Sequence, residues 1–277
     1  MRTGAHRIVS LVPSVTATVA GLGHEADIVG CTTFCVDPPG LARRAVVVGG
    51  TKDPDIAKIR ALSPDRILVN SEENRPVDIA ACREIAPVLE SFPKSPEDVP
   101  RMIRDIGAFI DAERAEEYAR ETETALNALK EAAKIRGAGA GRFVYLVWRN
   151  PWMVAGADSY ISRFLEMAGF RNAIAEPRYP RLTMREIAEA RPDIVFFSSE
   201  PWPFRRRDCE SFAEEWSAVA KDAGAGARAE LPDLLKIDGK AISWHGTETK
   251  RAATSLRLWL AGETSSGIIR PALTDAR

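Results

Sequence analysis

The chain has 277 residues, 45% of them hydrophobic and 28% charged, with 38 Lys and Arg against 39 Asp and Glu. That length supports one large core or two smaller ones. A net charge of -1 excludes a global attraction to nucleic acid or anionic lipid. No apolar run reaches the roughly 18 residues that would mark a membrane-inserted span.

Residues 7–12 are apolar and β-prone. Arg2 and Arg7 ahead of Ile8-Val9-Ser10-Leu11-Val12 imitate the start of a secretory leader. Pro13, Ser14, Thr16 and Thr18 interrupt that run, so it reads as the first strand of the fold. On this reading the protein is cytoplasmic; it is periplasmic if a leader has been removed. Helix-like and strand-like stretches then alternate: helix 14–22, strand 28–31, strand 45–48 ending at Gly49-Gly50, helix 55–62, strand 66–69, helix 75–85 and strand 88–92. Such alternation implies parallel βα units. Cys31, Cys35, Cys82 and Cys209 include no C-x-x-C pair and read as free, mostly buried thiols.

The character changes at Pro96. Residues 96–110 form one amphipathic helix, with Ser95 as cap and Glu97 and Asp98 in the first turn. Residues 112–136 contain no Gly or Pro and carry an apolar stripe at Tyr118, Thr122, Ala125, Leu129 and Ala132-Ala133. A helix of about 37 Å suits a rod between lobes, with a packed core helix as the alternative. Gly137-Ala138-Gly139-Ala140-Gly141 follows a helix and opens a strand, the reverse of a phosphate loop. Gly224-Ala225-Gly226 likewise reads as a plain loop. After the Gly137 to Gly141 segment come strand 143–147, helix 159–168, helix 183–190, strand 194–197, helix 208–221, strand 235–238 and helix 250–261. The fold class is therefore α/β, with an N-terminal lobe over 1–111, a bridging helix over 112–136 and a C-terminal lobe over 137–277. Residues 262–277 read as a disordered tail.

One pattern occurs twice. Ile56 to Glu72 and Met184 to Glu200 each run from a helix-like stretch through Pro-Asp into an apolar strand and stop at Ser-Glu. Pro64 to Ser71 and Pro192 to Ser199 are both seven residues. Two related lobes result, each presenting a carboxylate where a parallel strand ends, which is where open α/β sheets bind ligands.

Three loops concentrate aromatic and basic residues: Trp148-Arg149-Asn150-Pro151-Trp152, Glu200-Pro201-Trp202-Pro203-Phe204-Arg205-Arg206-Arg207 and Ser243-Trp244-His245-Gly246. Exposed indoles suit a flat, partly apolar ligand; alternatively Trp152 and Trp202 plug the lobe edges. His245, Glu72, Glu73, Glu200 and Cys35 lack the spacing of a metal site, and we assign no metal and no intrinsic cofactor. Glu72 and Glu200 have the makings of an acid/base pair. Against catalysis, the chain lacks G-x-S-x-G, H-E-x-x-H and P-loop motifs.

Across nearly its whole length the chain resembles the helical-backbone class of periplasmic solute-binding proteins, which captures cobalamin and iron chelates. The resemblance rests on Ile8 to Ser14, Gly49-Gly50-Thr51, the two Pro-Asp units, the long helix, Asn150-Pro151-Trp152 and the Trp244 loop. It implies two lobes with central, mainly parallel sheets, bridged by one long helix, and a ligand held between the strand ends. The cleft residues it implies are Pro13, Phe34, Cys35, Glu72, Asn74, Trp148, Arg149, Trp152, Glu200, Phe204 and Trp244, with His245 beside them. Members coupled to an ABC permease carry a docking glutamate on each lobe. Seven residues before each Pro-Asp unit stand Ala57 and Arg185, although a slip of one residue would substitute Glu186. Both docking charges are absent in the first register, and like charge against a basic permease surface is unfavourable.

The reading is thus a non-catalytic receptor for a corrinoid or iron chelate, acting without a permease. Trp148, Trp152 and Trp244 would give apolar contacts, Arg149 would meet an anionic edge, and Glu72 and Glu200 would accept hydrogen bonds. The alternatives are an importer-coupled binding protein and a cytosolic enzyme using Glu72 and Glu200.

Overall fold

The computed structural model describes residues 6–137, 139–222, 230–263 and 267–273. Ala138, the Gly224-Ala225-Gly226 loop and Arg2 lie outside them. The chain divides into two compact units. The first comprises 1–93, 97–124 and 244–250; the second comprises 94–96, 125–243 and 251–277.

In the first unit, β1 (Ile8–Ser10) leads into α1 (Pro13–Val19), and β2 (Ile28–Cys31) and β3 (Val46–Val47) follow. Next come α2 (Ile56–Ala61), β4 (Arg66–Asn70), α3 (Pro76–Arg83) and β5 (Val88–Ser91). The described strands make a sheet in the order β3-β2-β1-β4-β5 with every pairing parallel. Crossover helices bury Val9, Leu11, Ile59, Ile67, Val69 and Ile79 together, as parallel βα units require. Pro13 opens α1 at a position where its missing N–H costs nothing.

The expected helix over 96–110 is a 3₁₀ turn, Pro96–Asp98, followed by α4 (Val99–Phe109). The long helix is α5 (Ala115–Arg136), 22 residues or about 33 Å. Its first ten residues belong to the first unit and the rest to the second, so the chain passes between units within a helix. Arg104 on α4 grips Glu116 and Glu123 on α5, each at 2.7 Å. The buried line of α5 is Ala115, Ala119, Thr122, Leu126 and Leu129, one position around from much of the stripe read from sequence. Small Ala side chains allow the close approach, while Tyr118 stays at the margin beneath the Arg114 and Lys250 cations.

The second unit begins with β6 (Arg142–Trp148), β7 (Trp152–Val154), α6 (Tyr160–Met167), β8 (Arg171–Asn172) and β9 (Arg181–Leu182). It continues with α7 (Met184–Glu189), β10 (Ile194–Ser198), α8 (Arg206–Asp222), β11 (Asp233–Ile237) and α9 (Gly239–Ser243). The last elements are α10 (Thr247–Leu260), shared between the units, and β12 (Ile269–Pro271). The described strands are ordered β12-β11-β10-β6-β7-β9, with β8 also on β6. β6, β10 and β11 are parallel, whereas β7, β9 and β12 run antiparallel. β12 corrects the expectation of a disordered C-terminal segment. Its backbone pairs with β11, and Ala272 joins the apolar core; residues 264–266 and 274–277 lie outside the described residues.

Candidate functional site

In the first unit the strand ends are stitched together by two asparagines. Asn70, the last residue of β4, accepts the Glu72 N–H at 2.8 Å and the Glu73 N–H at 3.3 Å. Buried Asn74 accepts the Asn70 N–H at 2.9 Å and donates to the carbonyls of Leu11 and Thr51 at 3.3 and 2.9 Å. One side chain thus ties together the loops after β1, β3 and β4. Lys52 donates to the Glu72 carbonyl at 2.6 Å. Half-buried Glu72 and Glu73 are held at this edge, and burial, reinforced by Glu72, raises the Glu73 pKa against the opposing pull of Lys52. Pro13 is half-buried at the end of β1.

Phe34, in the loop after β2, is 59% exposed. Beside it Cys35 is buried, its Sγ 3.2 Å from both the Thr16 and the Thr32 hydroxyls. A hydrogen bond from Cys31 lowers its thiol to about 6 despite burial, with Thr16 and Thr32 assisting. Cys31 is pushed up by the same partnership. All four thiols are free and buried.

The Trp244 segment also belongs to the first unit, away from the lobe to which the sequence assigns it. Buried His245 has Nδ1 3.3 Å from Ser14 Oγ, and desolvation lowers its pKa to about 4. Gly246 has φ +104°, and a Cβ there would lie 1.9 Å from Thr18 Oγ1. Only glycine lets this segment press against α1. Trp244 is half-buried.

In the second unit Trp148 ends β6, 38% exposed, and meets Trp202 edge-on at 4.9 Å. Trp152 and Phe204, grouped by sequence with the ligand contacts, are core residues here. The Trp152 ring stacks on Phe204, packs against Phe212 at 5.4 Å and donates Nε1–H to Glu215 at 3.0 Å. Arg149 also turns inward: Nη1 reaches Asp208 at 2.7 Å, and the guanidinium lies 5.4 Å from the Trp152 ring centre. Burial would lift the Asp208 carboxyl, but the Arg205 N–H and Arg149 outweigh it and hold it below its ordinary value.

Glu200 follows β10 through a constrained corner. Its N–H donates to Ser198 Oγ at 3.2 Å, the Ser198 hydroxyl donates to its carbonyl, and Tyr145 Oη lies 2.9 Å from Ser198 Oγ. Ser243 donates to Glu200 Oε1 at 3.3 Å. Gly239 allows this approach, since a Cβ there would lie 2.3 Å from Ser198 Oγ. Glu72 and Glu200 therefore end equivalent strands in separate units. Among the described residues no group of three or more His, Cys, Asp or Glu is arranged to hold a metal ion. No described helix is long and apolar enough to cross a membrane.

At the helical beginnings of the two repeats, Ala57 and Arg185 are exposed. Glu186 accepts the Thr183 N–H and hydroxyl at 2.7 and 2.8 Å, in a capping box that lowers its pKa.

Relatives with this architecture are solute-binding proteins. A cobalamin-binding protein of Halobacterium salinarum is 26% identical over 196 residues, covering 68% of this chain and 53% of that protein. The chain thus spans about half the length of the curated relatives it matches. A periplasmic heme binding protein of Pseudomonas aeruginosa superposes with a TM-score of 0.77 at 18% identity, covering 98% of this chain and 99% of that one. The periplasmic vitamin B12 binding protein BtuF of Vibrio cholerae gives 0.75 at 19% identity, covering 94% and 98%. These likenesses establish the fold, and the periplasmic binding protein family model matches residues 8–223. The chain belongs to the periplasmic binding protein family.

Proposed function

We propose that this protein is a non-catalytic receptor for a metal-bearing macrocycle or chelate, with a corrinoid preferred. The observation that carries the reading is the exposure of large aromatics at the strand ends of both units, Phe34 and Phe92 in the first and Trp148 in the second. Aromatic faces suit a flat, partly apolar ligand, and the Halobacterium relative is a cobalamin-binding protein. Glu72, Glu200 and Trp244 are proposed as further ligand contacts. Arg149, Trp152 and Phe204 serve the site as its supporting layer, because each is engaged in packing or an internal ion pair.

We further propose that the receptor acts without an ABC permease. Ala57 and Arg185 supply no carboxylate, and Glu186 commits one carboxylate oxygen, Oε2, to capping its own helix through Thr183.

The purified chain is titrated with cobalamin, heme and ferric siderophores, following tryptophan fluorescence and the visible spectrum of each. A corrinoid dissociation constant of about 1 μM or tighter, corresponding to about -8 kcal/mol, is expected. The ligand should be recovered chemically unchanged after prolonged incubation. Failure of every chelate to bind removes the reading, and turnover abolished by Glu72→Gln with Glu200→Gln replaces it with an enzyme. Stimulation of a reconstituted corrinoid permease and its ATPase overturns the uncoupled role alone.

A further inference from the structure

The second unit contains a recess of about 260 Å³ at the carboxyl ends of β10 and β11. Strand register explains its charge. Lys236 pairs laterally with Phe197 on one side and Arg270 on the other, so the three share one face of the sheet. Inward from them that face is apolar, with Val195, Leu234 and Ala272 in the core. Lys236 and Arg270 are consequently two cations directly opposed across an antiparallel ladder, an arrangement that repels.

Their surroundings do not neutralise them. Among the described residues neither cation forms a salt bridge or a side-chain hydrogen bond. Asp238 lines the same recess, but its Oδ2 is taken by Arg251 at 3.0 Å and its Oδ1 by the Ala241 N–H at 3.2 Å. Ser199 Oγ accepts the Gly239 N–H at 2.9 Å, which leaves its own hydroxyl hydrogen available to donate. Phe197 and Phe204 form an apolar bed, and a lower local dielectric strengthens any ion pair made above it.

We propose that this recess binds a phosphate-type oxyanion between Lys236 and Arg270, with Ser199 as a third donor. The anion relieves the repulsion across the ladder. A guanidinium fork, an ammonium and a hydroxyl approach from different directions, which the tetrahedrally arranged oxygens of a phosphoryl group match better than a planar carboxylate does. The site uses none of Phe34, Trp148, Glu72, Glu200 and Trp244, so binding of inorganic phosphate is tested separately from the chelate assignment. The oxyanion is either free phosphate or a phosphoryl group carried by a larger ligand.

The test is calorimetric titration of the full chain with inorganic phosphate at constant ionic strength, alongside thermal unfolding in phosphate and in chloride. Phosphate should bind saturably, with sulfate competing, and should raise the unfolding midpoint more than chloride does. Lys236→Gln and Arg270→Gln should each weaken binding about tenfold, the cost of one charge-assisted hydrogen bond at about 1.4 kcal/mol. The double variant should lose the phosphate-dependent shift while unfolding cooperatively in chloride, since removing like charges relieves strain in the sheet. Absence of phosphate binding by the native chain, or binding unchanged in both single variants, overturns the proposal. A second arm separates the sources. Phosphate that competes with cobalamin, which carries a phosphodiester, but not with cobinamide, which lacks one, assigns the site to a ligand's phosphoryl group. Equal indifference to both assigns it to free phosphate.

Discussion

Asp193 and Arg142 close the same two-way clasp as Asp65 and Arg7. Asp193 Oδ2 accepts the Arg142 N–H at 2.8 Å, and the Arg142 guanidinium donates to the Ala190 carbonyl at 2.9 Å. In the first unit Asp65 Oδ1 accepts the Arg7 N–H at 3.1 Å, and Arg7 donates to the Leu62 carbonyl at 2.6 Å. In both, a helix ends in a residue with positive φ, Ser63 or Arg191, before Pro-Asp. The aspartate pins the start of the neighbouring strand, and the arginine satisfies a carbonyl orphaned at the helix C-terminus. The doubled Pro-Asp unit is therefore a folding device, and the site carboxylates lie at its far end.

Loss of that clasp should loosen each unit. Asp193→Ala leaves the Arg142 N–H without its side-chain acceptor at an exposed position and should cost about 0.5–1.5 kcal/mol, with Asp65→Ala costing a similar amount. Urea unfolding of both variants measures this. Unchanged midpoints would show that water replaces the carboxylate without penalty.

Two tryptophans four residues apart should behave oppositely. Trp148→Ala removes a partly exposed ring and should weaken chelate binding by about 1–3 kcal/mol with little loss of stability. Trp152→Ala opens a cavity beside Phe204 and Phe212 and should destabilise the chain by about 3–5 kcal/mol. Fluorescence titration paired with thermal unfolding separates the roles. The reverse pattern would exchange them.

Stability should fall on mild acidification because of His245. The folded pKa is about 4 against 6.5 for the free side chain. The unfolded chain therefore binds a proton that the folded chain refuses between those values, and stability drops as pH falls through that window. Between about pH 7 and pH 5 the loss is about 2 kcal/mol. His245→Gln should flatten this part of the profile in urea unfolding. An identical slope in the variant would assign the effect to other groups.

Cys35 should ionise well before the other thiols. The difference in thiolate ultraviolet absorbance between the native chain and Cys35→Ser should show a transition near pH 6. Thr16→Val removes one stabilising hydroxyl and should move that transition upward. A transition at the ordinary cysteine value, unmoved by Thr16→Val, would show that the hydroxyls do not stabilise the thiolate.

Sequence alone determined the α/β alternation, the long helix and the doubled repeat, because each spans enough residues for periodicity or spacing to register. It also singled out Trp148, Glu72 and Glu200 as residues at strand ends, while Phe34 came only from the family resemblance. Elements of two or three residues, such as β8, β9 and β12, carry no periodic signal and exist through pairing with a neighbour. Only tertiary structure decided which aromatics face outward: Trp148 and Trp152 have the same chemistry, but Phe204 and Phe212 enclose one ring and leave the other at an edge. It likewise decided that Trp244 to Lys250 packs with the first unit, through contacts of His245 and Gly246 with residues more than 200 positions earlier. The charge of Lys236 and Arg270 was legible throughout, but their opposition across one ladder was not. Local sequence fixes what a segment can form, whereas burial and pairing are set by partners distant in the chain.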